Sequence, residues 1–266
     1  MLIIGERINA SRKSIAEAIE TEDVAFIKKE AEDQLKAGAH LIDVNAGVFL
    51  DKEMDYLSWL VKTIQAEGEV PLCIDSANPK ALAKALSVHK GRAMINSITD
   101  EKDRYEKMIP VIREFRPQVV ALCITDGGMP TNSNERFLIA SKLVEKLTSD
   151  EVSPGDIFID PLVMPISTDK NYGIAVLETI EQIATSFPSV NTICGLSNIS
   201  FGLPSRRYVN QVFLVMAMTR QLKAVILDPL DKRIMANLII TRSLLGRDEY
   251  CEEFLTAFRT GKLDVE

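Results

Sequence analysis

Short apolar runs rich in Val, Ile and Leu recur along the chain, and longer amphipathic stretches separate them. The runs are continuous rather than alternating, which is typical of parallel strands that are buried on both faces. Eight such runs are present, at residues 2–8, 41–46, 71–76, 93–98, 119–124, 157–163, 192–198 and 224–230. The pattern therefore predicts eight parallel strands that alternate with helices.

The intervening stretches carry apolar residues at helical spacing. Val24, Ile27 and Ala31 form one such face, with charged residues on the others. Pro110 lies inside the helix predicted after the fourth strand, and it should kink or divide that helix. Residues 209–218 are apolar almost all round. This helix is therefore predicted to face a second copy of the chain as well as the core, in a homodimer.

Strand and helix order favours an α/β fold, a (β/α)8 TIM barrel that residues 1–266 form as a single domain. The chain has 266 residues, close to the roughly 250 of a typical barrel. Residues 248–261 predict an extra helix at the C-terminal end. An open doubly wound sheet is the alternative fold, but neither a GxGxxG fingerprint after an early strand nor a GxxxxGK[ST] loop is found.

Composition and charge disfavour several classes of function. The formal net charge of −7 disfavours nucleic-acid binding, which uses a basic surface. The four cysteines are far apart and the two histidines lack nearby ligand partners, so we expect neither a metal site nor a disulfide framework. No signal peptide or membrane-length apolar run is visible. We expect a soluble, cytoplasmic protein that binds no membrane.

Polar residues recur at the carboxyl ends of the predicted strands, and in a barrel these ends converge on the face that carries active sites. They are Glu6, Asn9, Asp43, Asn45, Asp75, Asn96, Asp160, Asn198 and Asp228. Capping of the following helix is the favoured interpretation for Asp228. For Asp43 and Asn45, capping and ligand binding both stay open.

Four of these residues, Asp75, Asn96, Asp160 and Asn198, together predict a ligand site. Two carboxylates and two amides with almost no basic residue among them would repel phosphate. They suit a neutral heterocycle that carries several N–H donors and a carbonyl, because carboxylates accept hydrogen bonds and amides both donate and accept. A pterin fits this description, and so does a guanine-like ring.

A family resemblance makes this prediction specific. Its markers are GERIN (5–9), LIDVNAG (41–47), CIDS (73–76), MINS (94–97), IDPLVMP (159–165) and GLSNIS (195–200). In this order and spacing, the chain resembles the methyltetrahydrofolate:corrinoid iron–sulfur protein methyltransferases. It is also similar to the folate domain of cobalamin-dependent methionine synthase and to tetrahydrofolate-linked components of O-demethylase and methylamine-type systems. The resemblance covers nearly the whole chain.

The resemblance implies roles for four residues. Asp75, Asn96 and Asp160 would anchor the pterin. Asn198 would form a hydrogen bond near N5, the atom that carries the methyl group, and is the predicted catalytic residue. An amide is no general acid at neutral pH, so its implied role is to hold N5 or a bridging water as charge develops.

Further residues complete the predicted binding set. Gly195 and Ser197 shape the same loop as Asn198, and Arg206 matches a basic position close to the folate. The glutamate tail is expected along the rim, where Arg206 or Arg207 could meet a carboxylate. Arg207 is interpreted instead as a solvated residue at a helix start. Cys194, residues 201–203 and the loop at 124–130 stand where relatives vary, which leaves the corrinoid partner's identity open.

The expected activity is methyl transfer between N5 of tetrahydrofolate and the cobalt of a corrinoid protein, by SN2 displacement. Tetrahydrofolate or 5-methyltetrahydrofolate is the expected substrate, the partner protein is expected to carry the cobalamin, and O-demethylation is the expected context. One alternative is a dihydropteroate synthase-like enzyme, which needs a basic pocket and a late S-x-R motif that Ser205, Arg206 and Arg207 do not match convincingly. Another is a non-catalytic folate-binding subunit.

Overall fold

A computed structural model describes residues 1–264, and its core is a sheet of eight parallel strands. The strands are β1 Leu2–Asn9, β2 Leu41–Asn45, β3 Leu72–Asp75, β4 Met94–Asp100, β5 Gln118–Thr125, β6 Ile157–Asp160, β7 Asn191–Thr192 and β8 Ala224–Leu227. They follow the order β7-β6-β5-β4-β3-β2-β1-β8. Each strand thus lies beside its neighbours in sequence, and β1 also pairs with β8.

The remaining gap, between β7 and β8, is bridged just beyond the end of β7. Gly195 pairs with Ile226 in parallel, and the Ile226 N–H donates a 2.9 Å hydrogen bond to the carbonyl oxygen of Cys194. The sheet is therefore a nearly closed barrel, and the predicted (β/α)8 TIM-barrel fold is confirmed.

Ten helices are found in the described part of the chain. They are α1 Lys13–Glu20, α2 Val24–Lys36, α3 Glu53–Ile64, α4 Pro79–Val88, α5 Lys102–Phe115, α6 Ser133–Ser149, α7 Tyr172–Ser186, α8 Arg206–Thr219, α9 Lys232–Leu244 and α10 Glu252–Arg259. Asp23, Asn132 and Asp231 cap α2, α6 and α9 with their side chains. Buried apolar residues between these helices and the strands form most of the core.

Three local predictions differ from the structure. The seventh apolar run, 192–198, is extended only at its start, because Leu196–Ser200 forms a 3-10 turn. Pro110 does not divide α5. It is exposed, so water can satisfy the carbonyl that the missing N–H leaves unpaired. Helix α1 was not predicted from the sequence.

Two further expectations concern the cysteines and membrane-spanning helices. Cys73, Cys123 and Cys194 are buried, Cys251 is exposed, and all four are free thiols. Among residues 1–264, no helix has both the length and the apolar composition to cross a membrane.

Candidate active site

The interior of the barrel is filled by an apolar layer with about one residue from each strand. This layer consists mainly of Ile4, Leu41, Cys73, Met94, Val120, Phe158, Ile193 and Ile226. Side chains two residues apart on a strand point to the same face. The next inward layer, towards the carboxyl ends, is therefore Glu6, Asp43, Asp75, Asn96, Leu122, Asp160, Gly195 and Asp228. All eight line one cavity of about 1520 Å³.

The structure places all the predicted site residues around this same cavity. They are Asp75, Asn96, Asp160, Gly195, Ser197, Asn198 and Arg206. Asp75, Asn96 and Asp160 lie on β3, β4 and β6, and the other four lie between the end of β7 and the first residue of α8. The cavity therefore has an acidic floor and amide and basic groups along one edge.

A carboxyl pair lies on β2 and β3. Asn45 donates a 2.9 Å hydrogen bond from Nδ2 to Oδ2 of Asp75, and the Asn96 side chain is hydrogen-bonded to Asp43. Burial, together with the negative charge of Asp75, raises the pKa of Asp43 well above its usual range. Burial likewise raises the pKa of Asp75, against the opposing effects of Asn45 and Arg104. Two buried acids whose negative charges repel each other favour a state in which one of them holds a proton.

Asp43 has an oxygen that nothing in the described chain satisfies. Its side chain is only 3% exposed, and its Oδ1 has no hydrogen-bond partner within residues 1–264. A buried polar atom without a partner is costly unless a ligand or water completes it. We therefore regard Asp43 as part of the ligand site.

Asp160 is buried at the end of β6, with 9% of its surface exposed. Its Oδ1 accepts a 2.8 Å hydrogen bond from the Leu162 N–H, and the Gly195 N–H is a second donor. Burial outweighs both and raises the pKa of Asp160 to about 7. This carboxyl therefore changes its charge near neutral pH.

The turn after β7 is held from two sides. The Ser197 hydroxyl donates to Oε2 of Glu6 at 3.2 Å. Arg206 donates from Nη2 to the Ser197 carbonyl at 2.7 Å and from Nε to the Ser200 hydroxyl at 3.1 Å. A side chain at Gly195 would place its Cβ 3.2 Å from Nδ2 of Asn198, so glycine leaves room for this amide.

Asn198 itself is exposed at the cavity. Its backbone belongs to the turn, with the Phe201 N–H donating to its carbonyl oxygen at 3.1 Å. Its side-chain amide makes no hydrogen bond to any residue in 1–264 and caps no helix. The amide is therefore available to a ligand in the cavity.

Sequence reasoning placed Glu6, Asp43 and Asp228 at the strand ends but did not include them in the predicted ligand set, and it left ligand binding open for Asp43. All three acids line the cavity. The signal that identifies Glu6 and Asp43 is the two-residue alternation along a strand. Glu6 lies two residues after Ile4 of the apolar layer, and Asp43 lies two residues after Leu41 of the same layer. Burial raises the pKa of Glu6, although Arg12 opposes that shift.

The interpretation of Asp228 as a helix cap is wrong. Asp231 caps α9 instead, by accepting hydrogen bonds from the Arg233 and Ile234 N–H groups. Asp228 accepts from the Leu230 N–H at 3.0 Å within the preceding turn, and it pairs with Nη1 of Arg7 at 3.0 Å. Its carboxylate is thus already engaged by the protein.

Neither Cys73, which is buried on β3, nor Cys194, which is buried next to the turn after β7, has the setting of an enzymatic nucleophile. Burial raises the pKa of the Cys73 and Cys194 thiols well above its usual range, helped by the negative charges of nearby aspartates. These thiols therefore stay neutral and act as small packing groups. In the described part of the chain, no three His, Cys, Asp or Glu side chains are grouped to hold a metal ion. The site instead offers hydrogen-bond acceptors to a ligand that is rich in N–H donors.

A comparison with known families agrees with this chemistry. A family model described as "Pterin binding enzyme" matches residues 5–228. The chain belongs to the pterin-binding enzyme family. This range contains all the predicted site residues, and the resemblance inferred from the sequence motifs is confirmed.

Two relatives place the chain more closely within the pterin-binding enzymes. It is 34% identical over 265 residues to a methylcorrinoid:tetrahydrofolate methyltransferase of Eubacterium limosum, and the match covers 99% of this chain and 98% of that protein. It is 32% identical over 227 residues to methionine synthase of Mycobacterium tuberculosis, covering 80% of this chain and 19% of that much longer protein.

Solved structures of pterin-binding enzymes share the fold. Dihydropteroate synthase from Xanthomonas albilineans, in complex with 7,8-dihydropteroate, superimposes with a TM-score of 0.73 at 14% identity, covering 92% of this chain and 93% of that one. The Yersinia pestis dihydropteroate synthase gives a TM-score of 0.68 at 12% identity with the same coverage. At these identities the likeness establishes the barrel fold alone.

Proposed function

We propose that this protein transfers a methyl group between N5 of tetrahydrofolate and the cobalt of a corrinoid that a partner protein carries. The observation that carries the proposal is the cavity itself, where Asp75, Asn96 and Asp160 form an acceptor-rich floor beside the unpartnered amide of Asn198. The end-to-end identity to a methylcorrinoid:tetrahydrofolate methyltransferase supports it.

The floor of the cavity suits the pterin ring. The 2-amino group and ring N–H groups of a tetrahydropterin are donors, and they match the carboxylate oxygens of Asp75 and Asp160. Asn96 can both donate and accept. The unpartnered Oδ1 of Asp43 gives a further polar contact at the same depth.

Methyl transfer from N5 requires the amine to leave, and an amide anion is a poor leaving group. Cobalt(I) of the corrinoid supplies the electron pair that forms the new bond to carbon. The electrons of the N5–carbon bond stay on N5, which gains one proton as tetrahydrofolate forms. Asn198 stabilises the change of charge at N5 through its amide dipole, and the proton comes from solvent through Asp75 or Asp160. The reverse reaction releases the same proton.

The dihydropteroate synthase alternative is less well supported. That reaction needs cations around a pyrophosphate leaving group. The inward layer of this barrel carries acids and amides, but cations also line the cavity at its rim, so the comparison with relatives decides between the two reactions. The similarity to dihydropteroate synthases is one of fold, at 12–16% identity. The 34% identity across the full chain points to the methyltransferase.

Methyl transfer to free cob(I)alamin tests the proposal against both alternatives. With 5-methyltetrahydrofolate, the purified protein should convert cob(I)alamin to methylcobalamin, which the visible absorbance follows. A non-catalytic folate-binding subunit would bind the folate without this conversion. Formation of dihydropteroate from a pterin pyrophosphate and p-aminobenzoate would instead identify a synthase.

Folate affinity is expected to depend on pH because Asp160 must be charged to accept two N–H donors. Its pKa in the free protein is about 7, so at lower pH the acid must first release its proton. Affinity should therefore fall as pH drops, by about tenfold from about pH 8 to about pH 6. Calorimetry in buffers of different ionisation heat measures the affinity and the protons released. Asp160→Asn should weaken the pH dependence and leave the smaller part that is due to Asp75, whose pKa burial raises to about 6. A wild-type affinity that does not change with pH would contradict the assignment.

We also propose that the protein is a homodimer that associates through α8. Val212 and Met216 lie one turn apart on this helix and are 61% and 45% exposed, and Tyr208 extends the stripe. Val212→Glu should convert the dimer to a monomer in sedimentation experiments, because it places a charge in an apolar contact. Leu138→Glu, at an exposed position on α6, is the matched control and should leave the dimer intact. A monomeric wild type would contradict the proposal.

A cytoplasmic location and a role in O-demethylation stay predictions from the sequence. The proposed partner is a corrinoid-binding protein, which the name of the Eubacterium limosum relative suggests. A single barrel whose interior is filled by apolar side chains leaves the corrinoid to be presented from outside the cavity mouth.

A further inference from the structure

The position of N5 determines where the tail of a bound folate leaves the site. In tetrahydrofolate, N5 is bonded to C6, and C6 carries the p-aminobenzoyl-glutamate tail. If Asn198 faces N5, as in the proposed function on which this inference rests, the tail leaves beside the turn at Leu196–Ser200. The start of α8 lies next to this turn, because Arg206 donates to the Ser197 carbonyl oxygen at 2.7 Å, so the tail would pass the start of α8 as it leaves.

The rim of the cavity at the starts of α8 and α9 is basic. Arg206 and Arg207 are the first residues of α8, and Lys232 is the first residue of α9. All three are exposed and line the same cavity as the pterin floor. We refer to them as the basic rim. The basic rim is positively charged, whereas the formal net charge of the whole chain is −7.

The cations of the basic rim form no ion pair in the described part of the chain. The side chains of Arg207 and Lys232 form no hydrogen bond or ion pair within residues 1–264. Arg206 hydrogen-bonds to the Ser197 carbonyl and the Ser200 hydroxyl, lies 5.8 Å from the centre of the Phe201 ring, and interacts with the charge of Glu6 without forming an ion pair. Three exposed cations that line one cavity without an ion pair favour an anionic ligand.

The acids that line this side of the cavity have other partners. Glu6, whose charge interacts with Arg206, accepts a hydrogen bond from the Ser197 hydroxyl at 3.2 Å. Asp228 pairs with Arg7 at 3.0 Å and accepts from the Leu230 N–H. Asp231 accepts two backbone N–H groups as the cap of α9. Asp228 and Asp231 therefore have partners outside the basic rim, and the positive charge of the rim is available to a ligand.

We propose that Arg206, Arg207 and Lys232 form a subsite for an oligo-γ-glutamate tail on the folate. A folate with one glutamate offers two carboxylates, and each added γ-glutamyl residue adds one more. Three cations along the exit path exceed what a monoglutamate engages and match a longer anionic chain. This proposal gives Arg207 a binding role in place of its interpretation as a solvated residue at a helix start.

The test compares 5-methyltetrahydrofolate carrying one glutamate with the same folate carrying three. Exposed ion pairs contribute modestly, so the wild type should bind the triglutamate about three- to tenfold more tightly in calorimetry at low salt. The Arg207→Ala/Lys232→Ala double variant should bring this ratio close to one, and added salt should do so in the wild type. Lys62→Ala/Lys107→Ala removes two exposed lysines elsewhere that form no ion pair within residues 1–264, and it should keep the wild-type ratio.

Equal affinity of the wild type for the two folates would overturn the proposal, as would a ratio that survives in the Arg207→Ala/Lys232→Ala variant. A variant that keeps the ratio but transfers methyl groups more slowly only with a corrinoid protein would assign the basic rim to the partner instead. These outcomes leave the proposed function standing, because monoglutamate binding and transfer to free cob(I)alamin are measured separately. Absence of transfer with either folate would be the failure of the proposed function.

Discussion

Asn198→Ala is expected to slow single-turnover methyl transfer by about thirty- to a hundredfold while weakening folate binding only slightly. The amide of Asn198 is exposed at the cavity and makes no hydrogen bond to residues 1–264, so its removal costs the folded protein little. A donor that acts mainly as charge changes in the transition state lowers the rate constant and spares ground-state binding. Loss of such a donor in other enzymes costs about 3–4 kcal/mol, and water can replace part of it here.

Two measurements on the same variant separate these effects. Single-turnover transfer from 5-methyltetrahydrofolate to cob(I)alamin gives the rate constant, and an equilibrium titration gives the affinity. If binding weakens by the same factor as the rate, Asn198 is one more pterin anchor. If neither changes, the turn at Leu196–Ser200 has a structural role only.

Asp75→Ala and Asp160→Ala are expected to weaken tetrahydrofolate binding by about ten- to a hundredfold each, which corresponds to about 1.5–3 kcal/mol for a charge-assisted hydrogen bond. Both carboxyls belong to the inward layer of the cavity. Burial raises the pKa of each carboxyl. Because burial makes the charged form unfavourable, such a carboxyl indicates a role in ligand binding rather than in stabilising the fold. The barrel should therefore still form.

Calorimetry gives the affinities, and circular dichroism with thermal unfolding checks the fold. Asp103→Ala is the matched control, since Asp103 is an exposed acid of α5 away from the cavity lining, and it should bind folate as the wild type does. Unchanged folate affinity in folded Asp75→Ala and Asp160→Ala proteins would remove these residues from the pterin site.

The fold was largely predictable because the periodicity of apolar residues reports burial directly. The eight continuous apolar runs correspond to the eight strands. The seventh run was misjudged at its end, where Leu196 and Ile199 are buried in a 3-10 turn. Periodicity reports that a residue is buried and does not distinguish a short turn from a strand. Pro110 was also misjudged, because its effect depends on which side of α5 faces water.

The candidate site was predictable from the polar residues at or near the carboxyl ends of the strands. Asp75 and Asp160 end their strands, whereas Asn96, Glu6 and Asp43 lie within theirs. For these three, the two-residue alternation above the apolar layer shows that they face the cavity. The role of Asp228 depends on Arg7, which is 221 residues away in sequence. A contact of that kind comes from barrel closure and leaves no local signal.

Transfer of an isotopic label tests the central claim most directly. 5-Methyltetrahydrofolate labelled with carbon-13 in its methyl group is mixed with cob(I)alamin and the protein, and nuclear magnetic resonance follows the label. The account predicts that the carbon-13 signal moves from the N5-methyl position to the cobalt-bound methyl position with the wild type, and far more slowly with Asn198→Ala. A label that stays on N5 with the wild-type protein, although the folate is bound, would contradict the account.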